Sequence, residues 1–171
     1  MGESNALTVV LLSKLEEQIE LAGRLITLIP SEKLEYKPLP ESLRVCDLLG
    51  HLLECLAGFC ASLYAIKPDS LAQFESLRGL RVNHCCGIEE ARDRITDYAS
   101  HIRVGFSLLT DDDLAQRVPT IFVPEGEALM TILLGNLEHL INHKHQLFFY
   151  LKLLGVPVTT RDLYRIRQIA D

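Results

Sequence analysis

His139 and His143 lie four residues apart in the chain. An α-helix puts residues at that interval on one face, one turn above the other, so both imidazoles can reach a single ion. They belong to a polar run, Asn136, His139, His143, Gln146 and Tyr150, whose intervals of 3, 4, 3 and 4 are those of a packed helical seam. Polar side chains buried along a seam cost on the order of 1–3 kcal/mol for each one left unsatisfied. A bound cation organises such a stripe, whereas plain packing does not require it; the competing reading is two buried histidines satisfied by hydrogen bonds to neighbours. His145 projects well round the helix from His143 and does not join the pair.

A metal needs more than two ligands, and His51 is the natural third. It sits within Leu48-Leu49-Gly50-His51-Leu52-Leu53, where an unpaired imidazole is a poor fit for the apolar surroundings. Glu54 and Cys55 follow it by three and four residues, close to its face, and either adds a ligand or orients the ring. Asp47, one turn earlier, and Asn136, Gln146 and Tyr150 are candidates for the surrounding hydrogen-bond partners. Three histidines leave a coordination position open, which is the pattern of a reactive site rather than a closed structural one. Such an ion lowers the pKa of a bound water or thiol and stabilises developing negative charge. Zinc is the expected ion, with nickel, iron or manganese as alternatives.

These residues must be held by helices. Leu11, Leu15, Ile19, Ala22, Ile26 and Ile29 recur at helical spacing and predict a first helix over 5–29, ended by Pro30. A second runs from Ser42 or Val45 to Ile66, apolar round most of its circumference and stopped by Lys67-Pro68-Asp69. Residues 70–80 form a short helix, followed by a mobile loop carrying His84-Cys85-Cys86. A third helix is predicted over 88–109, broken by the solvated turn Asp111-Asp112-Asp113. The segment Val118–Gly126 reads as an extended loop. The fourth helix, 126–154, carries an apolar stripe (Leu133, Leu137, Leu140, Leu147, Leu151, Leu154) interrupted only at Lys144, with Gly155 as its C-terminal cap. The expectation is one domain over 1–171, all-α, a four-helix bundle.

Net charge is −6, and the 17 lysines and arginines are scattered, so no basic stripe is offered to nucleic acid. The N-terminal stretch lacks the basic region and cleavage site of a signal peptide, and apolar stretches such as Leu48–Leu63, broken by His51 and Glu54, fall short of a spanning helix. Three of the five cysteines lie in an apolar helical pattern as small hydrophobes, and the adjacent pair Cys85-Cys86 reads as free thiols. A reducing, cytoplasmic location is therefore expected.

The run Gly135-Asn136-Leu137-Glu138-His139-Leu140-Ile141-Asn142-His143-Lys144-His145-Gln146-Leu147, with Tyr150-Leu151-Lys152-Leu153-Leu154-Gly155, resembles the last helix of the DinB-like (damage-inducible DinB and YfiT-like) superfamily. The stretch Ile29-Pro30-Ser31-Glu32-Lys33-Leu34-Glu35-Tyr36-Lys37-Pro38 and the later Leu48-Leu49-Gly50-His51-Leu52 resemble its first loop and second helix. Two departures are His145, where the family usually has Gly, and Lys144, where Arg is common. The resemblance implies a bundle with long crossover connections, a divalent metal on His51, His139 and His143, and a homodimer. It also implies chemistry on small molecules: metal-dependent transfer of low-molecular-weight thiols such as bacillithiol or mycothiol, or hydrolysis. A non-catalytic metal-binding or stress-associated role is the reading outside enzymes. Arg44, Lys37 and Arg81 are the cations that would hold a thiol's carboxylates. Neither nucleic acid nor a membrane is expected as a partner.

Overall fold

The computed structural model describes residues 5–120 and 123–165. Four long helices dominate: α1 (Ala6–Thr27), α2 (Val45–Ile66), α3 (Ile88–Ser107) and α4 (Leu129–Leu153). Leu11, Leu15, Ile19, Ala22 and Ile26 form the buried face of α1, and Ala91, Ile95, Tyr98 and Ile102 that of α3. The predicted helix over 70–80 is smaller than expected, a 3-10 turn Ala72–Phe74 running into a single α turn, Glu75–Arg78. Strands β1 (Arg117–Val118) and β2 (Glu127–Ala128) pair antiparallel and clamp the ends of the segment read as a loop, just before α4 begins.

Each of α1 and α2 packs mainly against both α3 and α4, so α1 and α2, neighbours in sequence, stand diagonally across the bundle. The connection over 28–44 therefore crosses from one side to the other, and so does the one between α3 and α4. The centre of the bundle is α2, whose Leu48, Leu49, Leu52, Leu53, Phe59 and Leu63 are at most 1% exposed. At 22 residues with a mean hydropathy of 1.5 it is, contrary to the sequence expectation, long and apolar enough to cross a membrane by length and composition. Its apolar sides face α3 and α4, which is the placement of a core helix.

The acidic run 111–113 is also used more than a solvated turn requires. Asp111 accepts the backbone N–H groups of Leu7 and Thr8 at 3.0 and 3.1 Å, satisfying donors left open at the start of α1. Asp113 is buried and accepts from Lys67 Nζ at 2.8 Å and from the Thr110 N–H, also at 2.8 Å. Burial alone would raise its pKa, but these donors outweigh that and hold the carboxyl below its usual range.

On α4 the expected apolar stripe is buried at Leu133, Leu137, Leu140, Leu147 and Leu151, and Gly155 closes the helix at φ 79°. Lys144 is not an interruption exposed to solvent: it is 1% exposed. Its Nζ donates to Gln18 Oε1 at 2.6 Å and to the Leu163 carbonyl at 2.9 Å, tying α4 to α1 and to the segment that follows α4. Burial pushes the ammonium pKa down from 10.5 to about 8. Lys144→Ala removes this side chain and leaves two buried acceptors, and denaturant melts should show a loss of about 2–4 kcal/mol. Because the folded pKa is depressed, the unfolded chain holds more protons between pH 8 and 10.5, so the stability gap between wild type and variant should widen as pH rises through that window.

Candidate metal centre

Because α2 and α4 are direct neighbours, His51 on α2 faces His139 and His143 on α4. Each offers one ring nitrogen, and the three lie within 4.8 Å of one another. His51 Nε2 is 3.1 Å from His139 Nε2. Two imidazole nitrogens about 2.0–2.1 Å from one ion at a tetrahedral angle would be roughly 3.3 Å apart, so the spacing fits a shared cation. The ring centroids are 4.4 to 5.0 Å apart with interplanar angles of 64 to 85°, edges converging rather than faces stacking. All three residues are half-buried, leaving the cluster open to solvent on one side.

The second nitrogens of two rings are held in ways that prepare the first. His51 Nδ1 is 2.7 Å from Asn83 Oδ1 and 2.9 Å from Glu54 Oε2. His143 Nδ1 is 2.9 Å from Gln146 Oε1. Oxygen acceptors at Nδ1 put the ring proton there and leave the Nε2 lone pair for an ion. Gln146 is itself fixed: its amide donates to Tyr150 Oη at 3.0 Å, and Tyr150 Oη donates to the Leu43 carbonyl at 3.1 Å. Three of the five polar positions on α4 thus form one hydrogen-bonded run from the His143 ring to the loop before α2.

The other sequence candidates fall elsewhere. Asp47 is taken by Arg44, whose Nε and Nη2 donate to it at 2.7 and 2.9 Å; that hydrogen bonding holds the Asp47 carboxyl below the usual range. Arg44 also reaches Glu35 at 2.8 Å, so both carboxylates already occupy the guanidinium. Asn136 lies against Gly58, where the two helices meet one turn along from His139. Cys55 is buried, and burial pushes its thiol up to about 12. His145 Nδ1 donates to the Ile141 carbonyl at 2.9 Å, and the ring packs edge-on to Tyr164. Lys37 and Arg81 are exposed.

Sequence spacing missed Asn83. The residue adopts φ 53°, the left-handed region that Asn tolerates better than other side chains, and this is the one local cue it carries. The expectation of unpaired cysteines also fails in part. Cys46 and Cys85 form a disulfide, while Cys55, Cys60 and Cys86 are free and buried. The loop at 83–86 is accordingly pinned to the start of α2 rather than mobile: the Asn83 N–H donates to Gly50 O at 3.1 Å and the Cys86 N–H to Cys46 O at 2.9 Å. His84, Cys86 and Glu90 form a second group of ligand-type side chains on its far side.

Burial, then the nearby His51 charge, holds the His139 pKa below 6.5. For His143 burial again comes first and outweighs the opposing effect of its hydrogen bond to the Gln146 carbonyl oxygen. Neutral imidazole is the form that binds a cation.

No protein-family model matches the chain, and no curated protein matches it. Among solved structures it is similar to the DinB-like protein YjoA of Bacillus subtilis, at 19% identity and a TM-score of 0.64, over 85% of this chain and 92% of that one. The bundle is therefore of DinB-like fold, and its histidine cluster is a group able to hold a metal.

His143→Ala should lower bound divalent metal at least about tenfold with far-ultraviolet dichroism preserved, because the apolar helices supply the core. Metal loading measured against pH should fall at a midpoint below 6.5, since the depressed values of His139 and His143 extend the neutral range downward. Release beginning well above pH 7 would contradict the geometry.

Proposed function

We propose that this DinB-like bundle binds one divalent metal ion, zinc first among the candidates, on His51, His139 and His143 and transfers a low-molecular-weight thiol to an electrophile. The observation that carries the reading is the convergence of three ring nitrogens on one point, two of them in rings whose far nitrogens meet oxygen acceptors. A divalent ion there would favour ionisation of a thiol that reaches it and stabilise negative charge on a bound substrate.

The residues divide the remaining work. His51, Asn83 and Glu54 fix one ring, and His143, Gln146 and Tyr150 fix another, so little reorganisation is needed when an ion enters. Glu54 is 42% exposed at its side chain and borders the cluster, and we assign it the proton released by the incoming thiol. The sulfur forms a bond to the electrophilic carbon as the bond from that carbon to the leaving group breaks, and Glu54 passes the proton to the departing group. Arg44 is unsuited to anchoring a thiol's carboxylate because Glu35 and Asp47 already pair with it. Lys37 or Arg81 takes that role in this proposal. The expected homodimer belongs to the same reading and is tested by mass in solution.

Cobalt-loaded protein titrated with glutathione and simpler thiols should develop an intense near-ultraviolet sulfur-to-cobalt band, unchanged in Cys55→Ser. A fully loaded protein that gives no band with any thiol but turns over an ester supports the hydrolytic alternative. Neither response leaves a non-catalytic metal-binding role.

A further inference from the structure

Asn83 lies thirty-two residues from His51 in sequence and outside any helix, yet its side-chain oxygen makes the shorter of the two contacts to His51 Nδ1. The other contact, 2.9 Å long, is to Glu54, a residue of α2 itself whose side chain is 42% exposed. Asn83 is instead fixed through its backbone. The N–H donates to the carbonyl of Gly50, the residue adjoining His51, so a displacement of the loop shifts Oδ1 directly against the ring. Close seating is possible because position 50 has no side chain: a Cβ there would collide with the backbone of His84. Two residues beyond Asn83, Cys85 is bonded to Cys46 in the first turn of α2, with their Cα atoms 4.5 Å apart.

We propose that Asn83 is the positioning residue for His51, and that the Cys46–Cys85 disulfide, by pinning the loop that carries it, makes metal affinity depend on the thiol–disulfide state of the chain. The inference rests on the metal reading above. Hydrogen bonds weaken steeply with distance and angle, so a loop free to move loses the Nδ1 contact before it loses its own structure. Cys85 is exposed and Cys46 buried, so a small thiol reaches the Cys85 sulfur first. Its sulfur bonds to Cys85 as the Cys46–Cys85 bond breaks; a second thiol then displaces it as the small-molecule disulfide. Two thiols are oxidised, and their two protons and two electrons end on Cys46 and Cys85. Reduction removes the covalent tie and leaves the loop held by its backbone hydrogen bonds, the His84–Glu90 contact and buried Cys86, which gives the Asn83 carbonyl more freedom to swing from the ring.

Zinc affinity measured by competition with a chromophoric chelator tests both parts, on full-length wild type, Asn83→Gly, Asn83→Asp, Cys85→Ser and the Asn83→Gly/Cys85→Ser pair. Glycine keeps the left-handed backbone and removes the side chain with its acceptor oxygen. We expect Asn83→Gly to weaken zinc binding by about 10–100-fold, and Asn83→Asp, which retains an acceptor, to stay near wild type. Cys85→Ser should weaken it at least about fivefold, and the pair should be no weaker than Asn83→Gly alone. The visible spectrum of the cobalt-loaded protein should change in Asn83→Gly and be restored in Asn83→Asp, a response that loss of fold stability alone would not produce. Wild-type affinity in Asn83→Gly overturns the positioning role, and an additive pair overturns the coupling through Asn83. A wild type that binds no zinc overturns the metal reading along with it, whereas zinc binding equal in every variant overturns this inference alone.

Discussion

Everything proposed for this protein depends on α2 lying beside α4 instead of beside α1, its neighbour in sequence. The contact is driven by apolar burial: Leu48, Leu52, Leu53 and Phe59 on α2, with Leu133, Leu140 and Leu147 on α4, are all at most 1% exposed. Non-directional as that force is, it sets the separation and rotation of the two helices, and these bring His51 to His139 and His143. A shift of either helix by one residue would rotate its histidine by about 100°, off the shared seam. Small residues contribute where side chains would hold the helices or loops apart, as Gly58 does against Asn136 and Gly50 beneath the 83–86 loop.

Much of this arrangement is legible in residue order. The 3.6-residue recurrence of Leu and Ile gives α1 and α3 to within a few residues of their ends, because their buried faces alternate with charged ones, and the more apolar α2 and α4 are bounded by the Pro and Gly that follow them. The 3, 4, 3, 4 interval on α4 likewise gives a face on which His139, His143, Gln146 and Tyr150 lie together, because side-chain direction in a helix follows from position alone. What pattern reading cannot supply is the partner of a polar side chain across the fold. Asp47 has the right interval to serve His51, but Arg44 three residues earlier offers two donors at once and captures it. Asn83 and the pairing of Cys46 with Cys85 depend on where a loop lands, and no periodicity encodes that.

Lys144 illustrates the same limit from the other direction. On composition a lysine in an apolar stripe reads as a defect, since buried ammonium groups are costly. It becomes tolerable because Gln18 from α1 and the Leu163 carbonyl supply acceptors that are distant by 126 and 19 residues. The helix therefore has three separate polar engagements on one scaffold: Lys144 toward α1, the histidines toward α2, and Gln146 with Tyr150 toward the loop before α2. Each is satisfied by a different part of the chain, so α4 is the element to which the others are registered.

That division separates holding the fold from holding an ion. The buried side chains of the core contact one another throughout the bundle, whereas the histidines sit at its half-exposed edge and contribute little apolar burial. A structural metal usually compensates for a core too small to fold without it, and this core is not small. The protein can therefore keep its histidines oriented and open without relying on a cation for folding. An open position on a preassembled site is what substrate chemistry needs, and a closed four-ligand cage would forfeit it. The loop bearing Asn83 follows the same logic. It adds little to the helical core beyond Cys86, but it reaches the far nitrogen of His51, and that makes it the part of the fold placed to alter the site with least disturbance of the bundle.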